Sequence, residues 1–277
     1  MPLLDSSYLS TSRILGLCIL GFFAFILLAA PVLAPNDPAA IAPDRRLEAP
    51  STQFPLGTDH LGRCVLSRLL YGTRWSLGTA AVAAVLILTA GIGLGAVSGY
   101  YRGPVDLVLM RVVDVLLAFP ALIPALAIAG MLGPGMEHVL GATVAVWWAG
   151  YARLVRGLVL SMRERQFVEA ARALGAGDLA IISRQLLPNI LPPVLVLASV
   201  EMGSLILAIA GLSFLGLGAQ PPTPEWGAML NDGRPFLLTA PQLMIYPGLA
   251  ISLAVVGFNL VGERLRDLLD PRLSDGR

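Results

Sequence analysis

Six long apolar segments alternate with shorter polar stretches along the chain. Because an α-helix rises about 1.5 Å per residue, about 20 residues are enough to cross a hydrocarbon core of about 30 Å. The segments have this length and lack the two-residue alternation that is typical of strands. They predict an all-α integral membrane protein with six transmembrane helices. The segments are residues 13–34, 75–100, 107–132, 139–160, 191–217 and 243–261.

The predicted spans divide the chain into four parts. We expect a cytoplasmic N-terminus with the first helix in 1–34, an external segment in 35–74, a core of five helices in 75–261 and a cytoplasmic tail in 262–277. The end of the first span, Pro-Val-Leu-Ala-Pro-Asn, also resembles a signal-peptide cleavage site. Its apolar run of about 20 residues exceeds the roughly 7–15 of a signal-peptide core, so we expect a retained anchor.

Composition and charge support the membrane assignment. Charged residues make up 13% of the 277 residues, about half the share of a soluble domain. With the N-terminus inside, 13 of the 19 arginines lie on the inner side and 6 on the outer side. This bias agrees with the positive-inside rule and places both termini in the cytoplasm. The net charge of +1, without a basic run, does not indicate a nucleic-acid partner.

Two outer segments have predictable local structure. Residues 62–71 have a helical pattern that suits a helix lying along the membrane surface. The apolar residues of its one face are Val65, Leu66, Leu69 and Leu70. The loop 218–240 contains Ala-Gln-Pro-Pro-Thr-Pro-Glu-Trp, and its prolines predict a stiff, extended backbone.

A compact polar insert follows the fourth span. Ser161 and Glu164 have the spacing of a capping box, which predicts the start of a helix. This helix is expected to run to about Leu174, with Gly175 as its C-terminal stop.

A second short helix is predicted after that stop. Asp178 could cap its first turn, and the helix is expected to end before Pro188 because the residue ahead of a proline avoids helical backbone.

One face of the first insert helix is apolar and built partly from alanine. Phe167, Ala170, Ala171 and Leu174 fall at positions i, i+3, i+4 and i+7. Small residues permit close approach of a partner, so the helix could fit a groove of another protein. It could also lie on the inner leaflet, held by arginine and anionic lipid.

The insert resembles the EAA signature of permease subunits of ABC importers. The matching residues are Glu169, Ala170, Ala171, Gly175, Leu186, Leu187, Pro188 and Asn189. Four further segments resemble, in the same order, the dipeptide/oligopeptide/nickel branch of that family. These segments are residues 54–78, 110–120, 212–230 and 258–273.

This resemblance implies a type I ABC importer permease fold in a bacterial inner membrane, surrounded by lipid. It implies that residues 161–190, the EAA loop, dock into a separate ATPase. The residues assigned to this coupling are Glu169, Ala170, Ala171, Gly175, Leu187 and Pro188. The implied partners are a second homologous permease, two cytoplasmic ATP-binding subunits and an outer substrate-binding protein.

The chain itself is predicted to be a transport subunit, not an enzyme, and to bind no cofactor. It contains no lysine, so a phosphate-binding loop of the form GxxxxGK[ST] cannot occur in it. Three positions depart from the branch. Cys64 stands where aspartate is usual, which puts in doubt how the outer helix is fixed, whereas Glu263 for aspartate and Gln185 for histidine are mild changes.

Charges near the spans are candidates for a role in transport. Glu201 in the fifth span either lines the translocation pathway or is hydrogen-bonded between spans, because a carboxylate in the bilayer is costly. Arg111 and Asp114 are expected to pair with each other at i and i+3. Asp106 is expected to act as a charge at a helix N-terminus.

The cargo is the least determined part of the prediction. Peptides are the expected cargo, and nickel or a nickel chelate is the alternative. Two features slightly favour this alternative: Glu201 and the glycine of the segment Gly-Leu-Ser-Phe-Leu-Gly-Leu-Gly. The outer loop residues Met131, Met136, Glu137 and His138 are either a metal waypoint or an ordinary loop. A secondary transporter would need internal repeats, which are not evident. A membrane enzyme would need catalytic companions for Glu201.

Overall fold

The six apolar segments are helical in the computed structural model, which describes residues 6–269. That part of the chain contains no strand, so the all-α prediction is confirmed. Its α-helices are α1 (Ser6–Leu33), α2 (Val65–Tyr101), α3 (Gly103–Leu117), α4 (Leu122–Leu132), α5 (Met136–Met162), α6 (Gln166–Ala173), α7 (Asp178–Ala180), α8 (Leu187–Phe214), α9 (Trp226–Gly233) and α10 (Gln242–Leu269).

Four helical stretches of the described residues are long and apolar enough to cross a membrane. They are Ile14–Leu33, Val65–Tyr101, Asp178–Phe214 and Gln242–Asp267. The fourth predicted span, α5, has 27 residues but is not apolar enough to be counted with these four. Its length is sufficient to cross a membrane, and Glu137, Arg153 and Arg156 interrupt its apolar sequence.

The third predicted span is broken. Helices α3 and α4 meet at an angle of 92° and could together form a fifth span. The break contains Pro120, which has no N–H to continue a helical ladder. The third predicted span, 107–132, therefore consists of two helices joined at a bend.

The amphipathic helix expected along the membrane surface is the first part of α2. This helix runs without a break from Val65 to Tyr101, 37 residues, or about 55 Å at the usual rise. Val65 is buried and packs with Leu69 against Ala240 and Leu243. These side chains face protein, and the segment forms one continuous helix with the second predicted span.

Cys64 occupies the N-cap position of α2 and is buried. Its side chain makes no capping hydrogen bond, whereas an aspartate at an N-cap would accept one from the first turn. The departure from the branch therefore removes a cap from this helix.

The second insert helix does not end before Pro188. Helix α7 continues through a π-helix at Ile181–Leu186 into α8 without interruption. In the π-helix the backbone bond spans five residues, as from the Leu187 N–H to the Ile182 carbonyl. Pro188 then falls in the first turn of α8, where the missing N–H costs little. The wider turn explains why the expected stop is absent.

The loop 218–240 is not extended throughout, because it contains α9. Glu225 caps this helix by accepting hydrogen bonds from Gly227 N (2.9 Å) and Ala228 N (2.8 Å). Ser76 Oγ of α2 donates a third bond to Glu225 and accepts one from Trp226 N. Burial raises the pKa of the Glu225 carboxyl group, while these hydrogen bonds oppose the shift.

Buried ion pairs hold the start of α2 to α9. Arg63 Nε lies 2.6 Å from Asp59 Oδ2, and Arg63 Nη2 lies 3.0 Å from Asp232 Oδ2. Arg68 approaches the same two carboxylates at 3.5 and 3.6 Å. Both arginines are almost fully buried. We call this end of the helix bundle the α9 end, and the end that carries the EAA loop the EAA end.

Of the charges predicted on α3, one has a different partner and one has additional partners. Asp114 pairs with Arg153 of α5, not with Arg111, because α3 packs on α5 and the facing arginine is within reach. Asp106 lies in the first turn of α3 as predicted. It also forms an ion pair with Arg156 and accepts a hydrogen bond from Ser98, so it joins α2, α3 and α5.

A stripe of glycines brings α2 against α5. A Cβ atom added to Gly91 would lie 2.5 Å from the Tyr151 Cβ, and one added to Gly99 would lie 2.9 Å from the Arg156 carbonyl oxygen. Gly95, midway between them, has the Ala152 carbonyl at 2.5 Å. Spacing of small residues by four positions is typical of closely packed membrane helices.

We expect the Gly95→Ala variant to lose about 1–3 kcal/mol of stability, the range of an overpacked core. The matched control is Gly93→Ala on the same helix, where an added Cβ meets nothing within 4 Å. Thermal unfolding in detergent, followed by tryptophan fluorescence, should show a lower midpoint for Gly95→Ala only. Equal midpoints for the two variants would contradict the assigned packing.

Candidate functional site

The EAA loop is a short helix held at the end of two long ones. Helix α5 runs through Met162, and α6 begins after Arg165, which is its N-cap. The predicted capping box is wrong, because Ser161 Oγ donates to the Leu158 carbonyl within α5. Glu164 pairs instead with Arg102 at 2.7 Å.

Gly175 ends α6 as predicted. Its φ is +84°, a conformation that costs other residues about 1–2 kcal/mol. Gly175 N–H bonds to the Arg172 carbonyl and Ala176 N–H bonds to the Ala171 carbonyl. This pair of bonds is the Schellman motif, which gives partners to the last carbonyls of a helix.

Helix α6 is exposed over most of its surface, including its predicted apolar face. Phe167 is 41% exposed and Leu174 89% exposed. Glu169 and Ala170 are exposed as well, and Ala171 is half-buried. Val168, which the sequence analysis did not single out, is fully buried in the core. Val168 anchors α6 to the core. It is the single β-branched residue of this helix, and this feature of the sequence could have indicated its burial.

The end of α2 binds both sides of α6. Tyr100 Oη donates to Asp178 Oδ1 at 2.6 Å, and Arg163 donates to the carbonyls of Gly99 and Tyr100. Asp178 therefore serves as an acceptor for Tyr100, and it does not cap α7, whose N-cap is Gly177. Hydrogen bonding to the Tyr100 hydroxyl raises the pKa of Arg172.

The second part of the EAA signature lies beside the first. Helix α6 contacts the π-helix that precedes Leu187. Leu187 is half-buried against the core, and Pro188 is exposed at the start of α8. Phe167 and Asn189 line a common cavity of about 740 Å³ at this end. The two parts of the EAA signature therefore lie next to each other, and the coupling role of their residues stays a prediction.

Glu201 lies in α8, away from the EAA loop. It is half-buried and shares a cavity of about 10 Å³ with Tyr151, Trp147 and Met202. Its carboxyl group interacts with the Tyr151 side chain of α5. This enclosed setting favours the alternative of a carboxyl group held between helices, and a place in the translocation pathway stays a prediction.

The candidate metal residues lie at the facing ends of two helices, Met131 in α4 and Met136, Glu137 and His138 in the first turn of α5. His138 Nδ1 lies 2.9 Å from the Gly133 carbonyl oxygen, and Met131 is largely exposed. Across residues 6–269, no three His, Cys, Asp or Glu side chains come together in a group that could hold a metal ion. The four residues thus belong to two helix ends joined by the turn 133–135, and not to a loop.

The apolar helices and the exposed EAA helix are the features of a class of proteins, the membrane-spanning subunits of transport systems. Residues 91–275 match the family of binding-protein-dependent transport system inner membrane components. The chain belongs to this family, and it is a permease subunit of the dipeptide/oligopeptide/nickel ABC importers. The predicted family is therefore confirmed.

Curated relatives match nearly the whole chain. The nickel transport system permease protein NikC of Escherichia coli (strain K12) is 45% identical over 259 residues, 94% of each chain. The dipeptide transport system permease protein DppC of Alkalihalophilus pseudofirmus is 43% identical over 94% of this chain and 86% of its own. The glutathione transport system permease protein GsiD of Pectobacterium atrosepticum is 43% identical over 91% of this chain and 86% of its own.

A solved structure supports the fold. The MetNI methionine ABC transporter, in an inward-facing conformation, contains a chain that aligns with a TM-score of 0.60. The alignment covers 74% of this chain and 97% of that one, at 17% identity. The likeness confirms the type I permease fold.

We expect the Gly175→Ala variant to loosen the end of α6, because alanine strains the backbone at φ +84°. A loss of about 1–2 kcal/mol corresponds to roughly 5- to 30-fold faster amide hydrogen exchange over residues 170–176. The matched control is Gly177→Ala, where φ is −71° and an added Cβ meets nothing within 4 Å. Identical exchange in both variants would show that the left-handed residue does not hold this end.

Proposed function

We propose that this chain forms half of the translocation pathway of an ATP-driven importer of di- and oligopeptides. In this proposal α6 docks into a cleft of a separate ATPase through Glu169, Ala170 and Ala171. The observation that carries it is an exposed helix with apolar and small residues, ended by a rigid stop and fixed to the core by Val168. A helix that only lay on lipid would not require this anchoring.

The other subunits of the proposed importer are inferred from the family. We propose one second homologous permease, two ATP-binding subunits and one outer substrate-binding protein around this chain. The EAA end faces the cytoplasm, together with both termini, and the α9 end faces outward. ATP binding closes the ATPases, and the resulting displacement of the EAA loop switches the pathway between two states.

Peptide is the cargo that we propose, and nickel is the second candidate. Dipeptide and glutathione are both peptides, and the permeases named for them are 43% identical to this chain. The nickel permease is 45% identical, a difference too small to rank the two cargoes. The second candidate is retained on that identity.

The orientation is tested by labelling intact cells with a membrane-impermeant maleimide. Leu174→Cys at the EAA end and Leu238→Cys at the α9 end are matched probes, since both side chains are highly exposed. The exposed Cys18 is replaced by serine, and the buried Cys64 is kept. We expect label on Leu238→Cys only. Label on Leu174→Cys in intact cells would refute a cytoplasmic EAA loop.

The cargo is tested by reconstitution with the second permease, the ATPases and the binding protein in liposomes. We expect ATP-dependent uptake of radiolabelled dialanine, and no uptake when the binding protein is omitted. Uptake of ⁶³Ni²⁺ without uptake of dialanine would replace the peptide proposal by the nickel one. Absence of ATP-dependent uptake of either would count against the importer itself.

A further inference from the structure

Two tethers join the EAA loop to the last turn of α2, and neither belongs to the EAA signature. Tyr100 is buried, with 6% of its surface exposed, yet its hydroxyl reaches the exposed Asp178. Arg172 of α6 also interacts with this hydroxyl. The phenol thus lies between the two short helices α6 and α7 and contacts a charged group on each.

The second tether is Arg163, between α5 and α6. Its guanidinium donates to the Tyr100 carbonyl at 2.5 Å and to the Gly99 carbonyl at 3.4 Å. It also lies over the Tyr100 ring, 5.9 Å from the ring centroid. The last carbonyls of a helix have no partner within it, and a cation there also interacts favourably with the helix dipole. Arg163 therefore binds the C-terminal end of α2.

These contacts matter because α2 reaches both ends of the protein. Glycines hold it along α5, and its first turn carries Arg68, which approaches Asp59 and Asp232 of the α9 end. A displacement of α6 that is passed to α2 is thus carried to a buried ion cluster on the far side of the bundle.

We infer that Tyr100 and Arg163 are positioning residues that fix the EAA loop to α2, so that a push on α6 moves α2 and α5 as one body. This inference rests on the proposed coupling of α6 to an ATPase. Without the tethers, α6 would remain attached to α5 through the chain and to the core through Val168, but it would turn without moving α2. ATP would then be hydrolysed with little transport.

The test is the Tyr100→Phe variant, which removes one hydroxyl and keeps the ring. Its matched control is Tyr101→Phe, the next residue, whose side chain is exposed and makes a ring contact with Tyr100. In liposomes containing the full complex, the readout is molecules of cargo taken up per ATP hydrolysed, with dialanine or ⁶³Ni²⁺ as the probe according to the preceding experiment. We expect the ratio to fall about fivefold or more for Tyr100→Phe and to stay unchanged for Tyr101→Phe.

A second pair of variants separates positioning from simple stability. Asp178→Asn keeps an oxygen that accepts the Tyr100 hydrogen bond, and Asp178→Ala does not. We expect Asp178→Asn to retain most of the uptake per ATP and Asp178→Ala to behave like Tyr100→Phe. An unchanged ratio in Tyr100→Phe, or a lower thermal midpoint with an unchanged ratio, would overturn the inference.

Hydrogen exchange on the permease without its ATPases tests the tether independently of transport. Tyr100→Phe should speed exchange of the amides of 166–178 about fivefold or more, the effect of losing a hydrogen bond to a charged group. No change there would overturn the inference. If the wild-type complex shows no ATP-driven uptake while this exchange increases, the proposed function fails and the tether stands.

Discussion

The close packing of α2 against α5 is the contact on which the other features depend. Side chains at Gly91, Gly95 or Gly99 would collide with the α5 backbone or its Cβ atoms, so the two helices meet along a surface without side chains on one side. In a membrane there is little hydrophobic drive to bring helices together, and close approach of this kind supplies much of the attraction. The EAA loop is built on the end of this pair, through α5 by the chain and through α2 by Tyr100 and Arg163.

The two ends of α2 are held by different chemistry. At the EAA end the partners of α2 are the exposed Asp178 and the half-buried Arg163, and water screens such charges more than buried ones. At the α9 end Arg63, Arg68 and Asp59 are buried together, and removal of one partner would leave an uncompensated charge, at a cost of about 3–5 kcal/mol. The α9 end of α2 is thus held by buried ion pairs, and its EAA end by hydrogen bonds close to the surface.

Local signals in the sequence were sufficient for the helices and for the stop at Gly175, because an apolar run and a glycine after a helix act over a few residues. The stop expected at Pro188 is absent because a π-helix precedes this residue and Pro188 falls in the first turn of α8. Helix α9 has no clear start signal in the sequence because its cap is Glu225, which is not a preferred N-cap residue. Tyr100 and Asp178 lie 78 positions apart, and nothing in either neighbourhood indicates that they meet. The pairing of Asp114 with Arg153, 39 positions apart, likewise has no signal in the sequence around either residue.

The central claim is that α2 and the EAA loop move as one body, and a distance measurement tests it most directly. Spin labels at Val82 on α2 and Leu174 on the loop are suitable because both side chains are exposed. Double electron–electron resonance would measure the distance between the two labels in the complex, with and without a non-hydrolysable ATP analogue. A label on the partner permease reports that the switch has occurred. The account predicts an unchanged Val82–Leu174 distance while the distance to the partner changes. A Val82–Leu174 distance that shifts with the switch would contradict it.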